Sequence, residues 1–109
     1  MFDIVTTLPY WSYALSTYTI GTTPTLIAGN EPQRAILYIT APPAASLQVA
    51  IDPVPPVGFP GQVSIPAGET HRFTWSLDGP MSTYPWLAWV ASGSGDVTVT
   101  EVWWRPKGM

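Results

Sequence analysis

The chain is expected to fold as an all-β protein: a single-domain β-sandwich or jelly roll of seven to eight short strands, with an extended N-terminal arm. Three observations lead there. Short apolar or β-branched runs recur with turn residues every ten or so positions, the pattern of a sandwich. The 109 residues include 13 prolines and 9 glycines, which interrupt helices and mark turns. No stretch shows useful helical periodicity, whereas Leu47, Val49 and Ile51 alternate with Gln48 and Ala50. This length suits one domain with one modest core.

The elements follow in order. Residues 1–16 contain Leu8-Pro9-Tyr10-Trp11-Ser12-Tyr13, which is aromatic, uncharged and without clear alternation. Pro9 disfavours helix at Leu8, so this stretch reads as an extended arm, with an edge strand as the alternative. Residues 17–109 form the sandwich domain. Thr17–Ile20 and Thr25–Ala28 are short strands around a Gly-Thr-Thr-Pro break, and Ala35–Thr40 is the strongest strand. Asp52–Gly61 is too rich in proline for a central strand, since proline donates no ladder hydrogen bond.

Gln62–Ile65 is expected to pair with His71–Trp75 across the Pro66-Ala67-Gly68-Glu69 turn. Residues 78–85 form a second loop. Trp86–Ala91 and Val97–Trp104 are expected to make a closing hairpin. Trp86–Ala91 is apolar at every position, as in strands buried on both faces. In the last strand Val97 and Val99 share one parity and Val102 and Trp104 the other, so the apolar face switches near Thr100-Glu101, by a bulge or by a strand leaving its sheet.

Composition narrows the function. Only 10 % of residues are charged, against about 25 % in ordinary soluble domains. Such a chain has little to keep neighbours away and suits a subunit of an assembly. The net charge is −3 and the four basic residues are scattered, which argues against a nucleic-acid stripe. No signal-peptide pattern or run of about 20 apolar residues is present, so the expected site of synthesis is a cytoplasm, with no membrane partner.

Catalysis finds little support. There is no cysteine, and the lone His71 shares parity with Phe73 and Trp75, as a structural histidine would. Asp52, Asp78 and Asp96 sit in turns, where aspartate commonly serves the backbone. No ligand spacing supports a metal, and no Gly-rich loop precedes a helix. No catalytic, cofactor or metal residue is therefore expected.

The aromatic content is the sharper signal. Six Trp and five Tyr exceed what one small core needs. Exposed Trp and Tyr anchor protein interfaces or stack on sugars. Phe73, Trp75 and Trp89 are expected in the core. Tyr10, Trp11, Tyr13, Tyr84, Trp86, Trp103 and Trp104 are the candidate protein–protein interface residues. Trp103 and Trp104 are adjacent and would point to opposite faces, one into the core and the other toward a partner.

From Tyr18 through Ile39, then Leu47–Ile51, the Ile65–Glu69 turn and a late strand pair, the chain resembles small structural proteins of tailed bacteriophages. The resemblance covers roughly residues 17–104; Glu31-Pro32-Gln33-Arg34 stands where an asparagine–proline pair is usual. It implies a virion protein made in the host cytoplasm: a head decoration (cement) protein, or a neck or tail component. The implied partner is the major capsid protein or another virion protein, with self-association, a trimer preferred. The alternatives from other classes are a carbohydrate-binding sandwich using surface aromatics and, least favoured, a small glycan-acting enzyme.

Overall fold

A computed structural model describes residues 12–52 and 62–103. These contain eight strands: β1 (Ser12–Ile20), β2 (Thr25–Ala28), β3 (Arg34–Thr40), β4 (Leu47–Ile51), β5 (Gln62–Ile65), β6 (Thr70–Thr74), β7 (Trp86–Val90) and β8 (Gly95–Trp103). They form two antiparallel four-stranded sheets, in the orders β1-β8-β3-β6 and β2-β7-β4-β5. We call them sheet A and sheet B. The chain passes repeatedly from one sheet to the other, and this strand order is that of a jelly roll. As expected from the prolines, helix is scarce among the described residues: one turn, α1 (Trp75–Asp78), followed by a 3-10 segment, Gly79–Thr83. Thr74 caps α1 by accepting a hydrogen bond from the Leu77 backbone N–H at 3.3 Å.

The core lies between the sheets. Ile20, Leu37, Ile39, Phe73, Val97 and Val99 of sheet A meet Leu47, Val49, Ile65, Trp86, Ala88 and Val90 of sheet B, all with at most 2 % exposure. Phe73 stacks on Trp86 with ring centroids 4.4 Å apart, joining the two layers directly. His71 packs against the other side of this cluster, its ring 4.6 Å from that of Phe73, which accounts for the parity it shares with that residue.

Several expectations require correction. The arm was expected to reach residue 16, but β1 begins at Ser12 and pairs with β8 without a break, from Ser12 opposite Trp103 to Ile20 opposite Gly95. Residues 1–11 lie outside the described residues. Burial along β1 alternates throughout, a pattern masked in the sequence by Ala14, Ser16 and Thr17, which carry no hydropathy contrast. Second, β6 pairs with β3 rather than β5. The Pro66–Glu69 turn closes through Glu69 N–H to Pro66 O at 3.0 Å. It is also tied to the start of the β3–β4 connection, by Gly68 N–H to Pro42 O at 2.8 Å and Ala41 N–H to Glu69 O at 2.9 Å, which steers β6 beside β3.

Third, β7 and β8 belong to different sheets and form no hairpin. The residues between them, with Gly93 at φ 70°, carry the chain across the sandwich. Fourth, β7 is not buried on both faces: Trp86, Ala88 and Val90 point inward, while Leu87 and Trp89 are half-buried on the outer face. Trp89, expected in the core, therefore lies outside it, and Trp75 is 48 % exposed on α1.

The change of apolar face in β8 has a different cause from the one expected. β8 stays in register with β1; the irregularity sits opposite, in β3 between Arg34 and Ile36. Glu101 keeps the inward parity of Val97 and Val99, and its carboxylate meets buried Arg34. Val102 is on the outer face, flanked by Tyr13 and Ile36, and is only 4 % exposed.

Candidate functional site

The structure offers two kinds of site, an interior one built on charge and an exterior one built on apolar side chains. The interior one centres on Arg34, which is fully buried. The β3 irregularity turns its guanidinium toward the 3-10 segment. Its Nε donates to Ser82 O at 2.6 Å, its Nη2 to Tyr84 O at 2.6 Å and its Nη1 to Glu101 Oε2 at 2.8 Å. Ser82 returns a hydrogen bond from its hydroxyl to Arg34 O at 3.3 Å. The planar fork suits such a set of converging acceptors. Arg34 thus pins the long β6–β7 connection to sheet A. This is a structural role, one that the sequence showed only as a glutamate on the inward parity of an apolar strand.

Beside it, a cleft of about 270 Å³ opens between the sheets, lined by Tyr18, Leu26–Gly29, Glu31 and Glu101. One oxygen of Glu101 is held by Arg34. Among the described residues no group of three or more His, Cys, Asp or Glu is placed to hold a metal ion. No helix among them is long and apolar enough to cross a membrane.

The exterior carries the large exposed apolar groups: Tyr13 (62 %), Leu15 (66 %), Leu26 (49 %), Trp75 (48 %), Leu77 (75 %) and Tyr84 (38 %). Tyr13 and Leu15 lie on the outer face of sheet A, and Leu26 is on that of sheet B beside Leu87. Trp75 and Leu77 project from α1.

Of the candidate interface residues, Tyr13 and Tyr84 are therefore at the surface. Trp86 is not: it is wholly buried, stacks on Phe73 and donates its indole N–H to Met81 O at 2.9 Å. Trp103 is likewise 2 % exposed within the protomer. Both belong to the interior, because their parity on β7 and β8 turns them inward. Tyr10, Trp11 and Trp104 lie outside the described residues. Leu15, Leu26, Trp75 and Leu77 were missed; for Leu15 the signal was its parity with Tyr13 and Thr17, both on the exposed side of β1.

No protein-family model matches the chain, nor does any curated protein. Among solved structures it is similar to one of Bacillus endospore appendages, described as forming a novel family of disulfide-linked pili, at a TM-score of 0.51 and 13 % identity over 85 % of each chain. Another, cobalt(II) HppE in complex with substrate, aligns at a TM-score of 0.47 and 9 % identity, over 92 % of this chain and 56 % of that one. The first likeness concerns the fold. The 109 residues here contain no cysteine, so a disulfide link has no counterpart in them.

Proposed function

We propose that this chain is a non-enzymatic structural protein that acts by adhesion within a larger assembly, and specifically that it decorates and stabilises a phage head by bridging capsid subunits. The observation that carries the adhesive part is the set of large apolar side chains left in water on a chain of low charge. Apolar surface costs about 25 cal/mol per Å² to leave exposed, so a partner that covers it gains that free energy. Support for a building-block role comes from the shared fold of a pilus protein. Support for the capsid comes from the resemblance of residues 17–104 to phage structural proteins.

A protein that binds only the assembled lattice shifts the equilibrium toward that lattice. With few charges available, apolar and backbone contacts dominate, and binding should survive raised salt, which weakens mainly exposed charge pairs. The test uses intact particles. The protein should co-purify with them at a fixed copy number, stripping it should lower their melting temperature, and adding it back should restore it. Particles equally stable with and without it would refute the decoration role.

A further inference from the structure

The outer face of sheet A reads as a grid, because its register is unbroken across all four strands from residue 36 of β3 onward. Tyr13, Val102, Ile36 and Thr74 form one transverse rank; Leu15, Thr100, Tyr38 and Arg72 form the next; Thr17, Thr98, Thr40 and Thr70 form a third. Thr19 and Asp96 begin a fourth. The face is apolar at one end and hydroxyl-rich at the other. Among the described residues its charged groups are one cation, Arg72, and one carboxylate, Asp96, both exposed and on different strands and ranks.

Strands lie ~4.8 Å apart and alternate residues ~6.6 Å apart, which puts Arg72 and Asp96 ~16 Å from each other, too far to pair within one chain. On the same grid, the line midway between them runs through Thr40 and Leu15. A two-fold axis along that line brings each Arg72 onto the Asp96 of a second copy. It also sets Leu15, 66 % exposed, against Leu15 of that copy. The strands then cross at ~70°, near the orthogonal class of sheet packing. The face measures roughly 20 by 25 Å with its side chains, so two copies cover about 1,000 Å², the lower bound for a specific interface.

We propose that the outer face of sheet A is a self-association surface that pairs two copies of this chain about a two-fold axis through Leu15, with reciprocal Arg72–Asp96 ion pairs. The proposal rests on the adhesive reading above and names a second copy as the partner. Closed two-fold pairing is the commonest form of self-association, and only a self-complementary patch supports it. The occupant is another copy because a face with one cation and one carboxylate is complementary to itself, and a two-fold axis is the arrangement in which just two copies satisfy both charges at once.

The test is sedimentation equilibrium of the full chain from micromolar to millimolar concentration. Wild type should show a monomer–dimer equilibrium. Leu15→Glu should weaken it at least tenfold; since Leu15 is exposed, its melting temperature should stay near that of wild type. Arg72→Asp and Asp96→Arg should each weaken association, and the double reversal should restore it. Single reversals whose losses add in the double variant would overturn the proposal, as would a wild-type chain that stays monomeric throughout. A monomer that still binds particles would overturn this pairing alone; a dimer that binds no particle would leave the pairing intact and remove the decoration role.

Discussion

Removing the Arg34 guanidinium should be among the most damaging single changes to this fold. In Arg34→Met the side-chain volume is nearly kept, but Glu101, 12 % exposed, loses its counter-charge. Breaking a buried ion pair by deleting one partner costs about 3–5 kcal/mol, because the remaining charge stays desolvated. Ser82 O and Tyr84 O also lose their donors, at about 1 kcal/mol or more each where water does not replace them. A domain of this size has roughly 5–15 kcal/mol in all. Arg34→Met should therefore lose about 5 kcal/mol, the low end of these terms taken together and a large part of the total.

The pairing itself contributes less than this loss suggests. A second change, Glu101→Leu, removes the stranded carboxylate. Arg34→Met/Glu101→Leu should recover about 3 kcal/mol of the loss, leaving mainly the two orphaned carbonyls. Urea unfolding followed by tryptophan fluorescence reads all three variants against wild type, with the double-mutant cycle isolating the coupling. An Arg34→Met protein within 1 kcal/mol of wild type would refute the assignment of Arg34 as the tie between sheet A and the β6–β7 connection. A double variant no more stable than Arg34→Met would refute the stranded-charge explanation.

The remaining predictions concern the core and one close approach. Trp86→Phe keeps an aromatic ring against Phe73 but drops the hydrogen bond to Met81 O; it should cost about 1–2 kcal/mol, whereas Trp86→Ala should cost about 3–5 kcal/mol, and equal melting curves for the two would contradict the packing of this ring against Phe73 in the core. Gly95→Ala would place a Cβ 2.6 Å from Pro42 Cβ and 2.7 Å from its Cγ, in a ring that cannot rotate away, and should lower stability by about 1–3 kcal/mol. Gly29→Ala, which meets nothing within 4 Å, is the matched control and should stay within about 0.5 kcal/mol of wild type in the same thermal melts.

What the sequence determined by itself was local. Turn residues at regular spacing placed the strands of an all-β domain, and the alternation Leu47-Gln48-Val49 oriented β4, because side-chain parity and proline chemistry are properties of a few consecutive residues. The exposed side of β1 was also legible in outline, through Tyr13, although its start at Ser12 was hidden by small side chains.

Only the tertiary structure decided which strands are neighbours. Short turns suggested pairing β5 with β6 and β7 with β8, yet each of these turns carries the chain to the opposite sheet, where contacts distant in sequence are made. The same long-range pairing decided the fate of the tryptophans. Trp86 and Trp103 became interior, and Trp75 remained at the surface, since burial depends on what the other sheet places opposite each residue. Arg34 and Glu101 are 67 positions apart and meet only because β3 and β8 are adjacent. A buried charge needs a partner supplied by the fold, and that partner is not a property of the residues beside it.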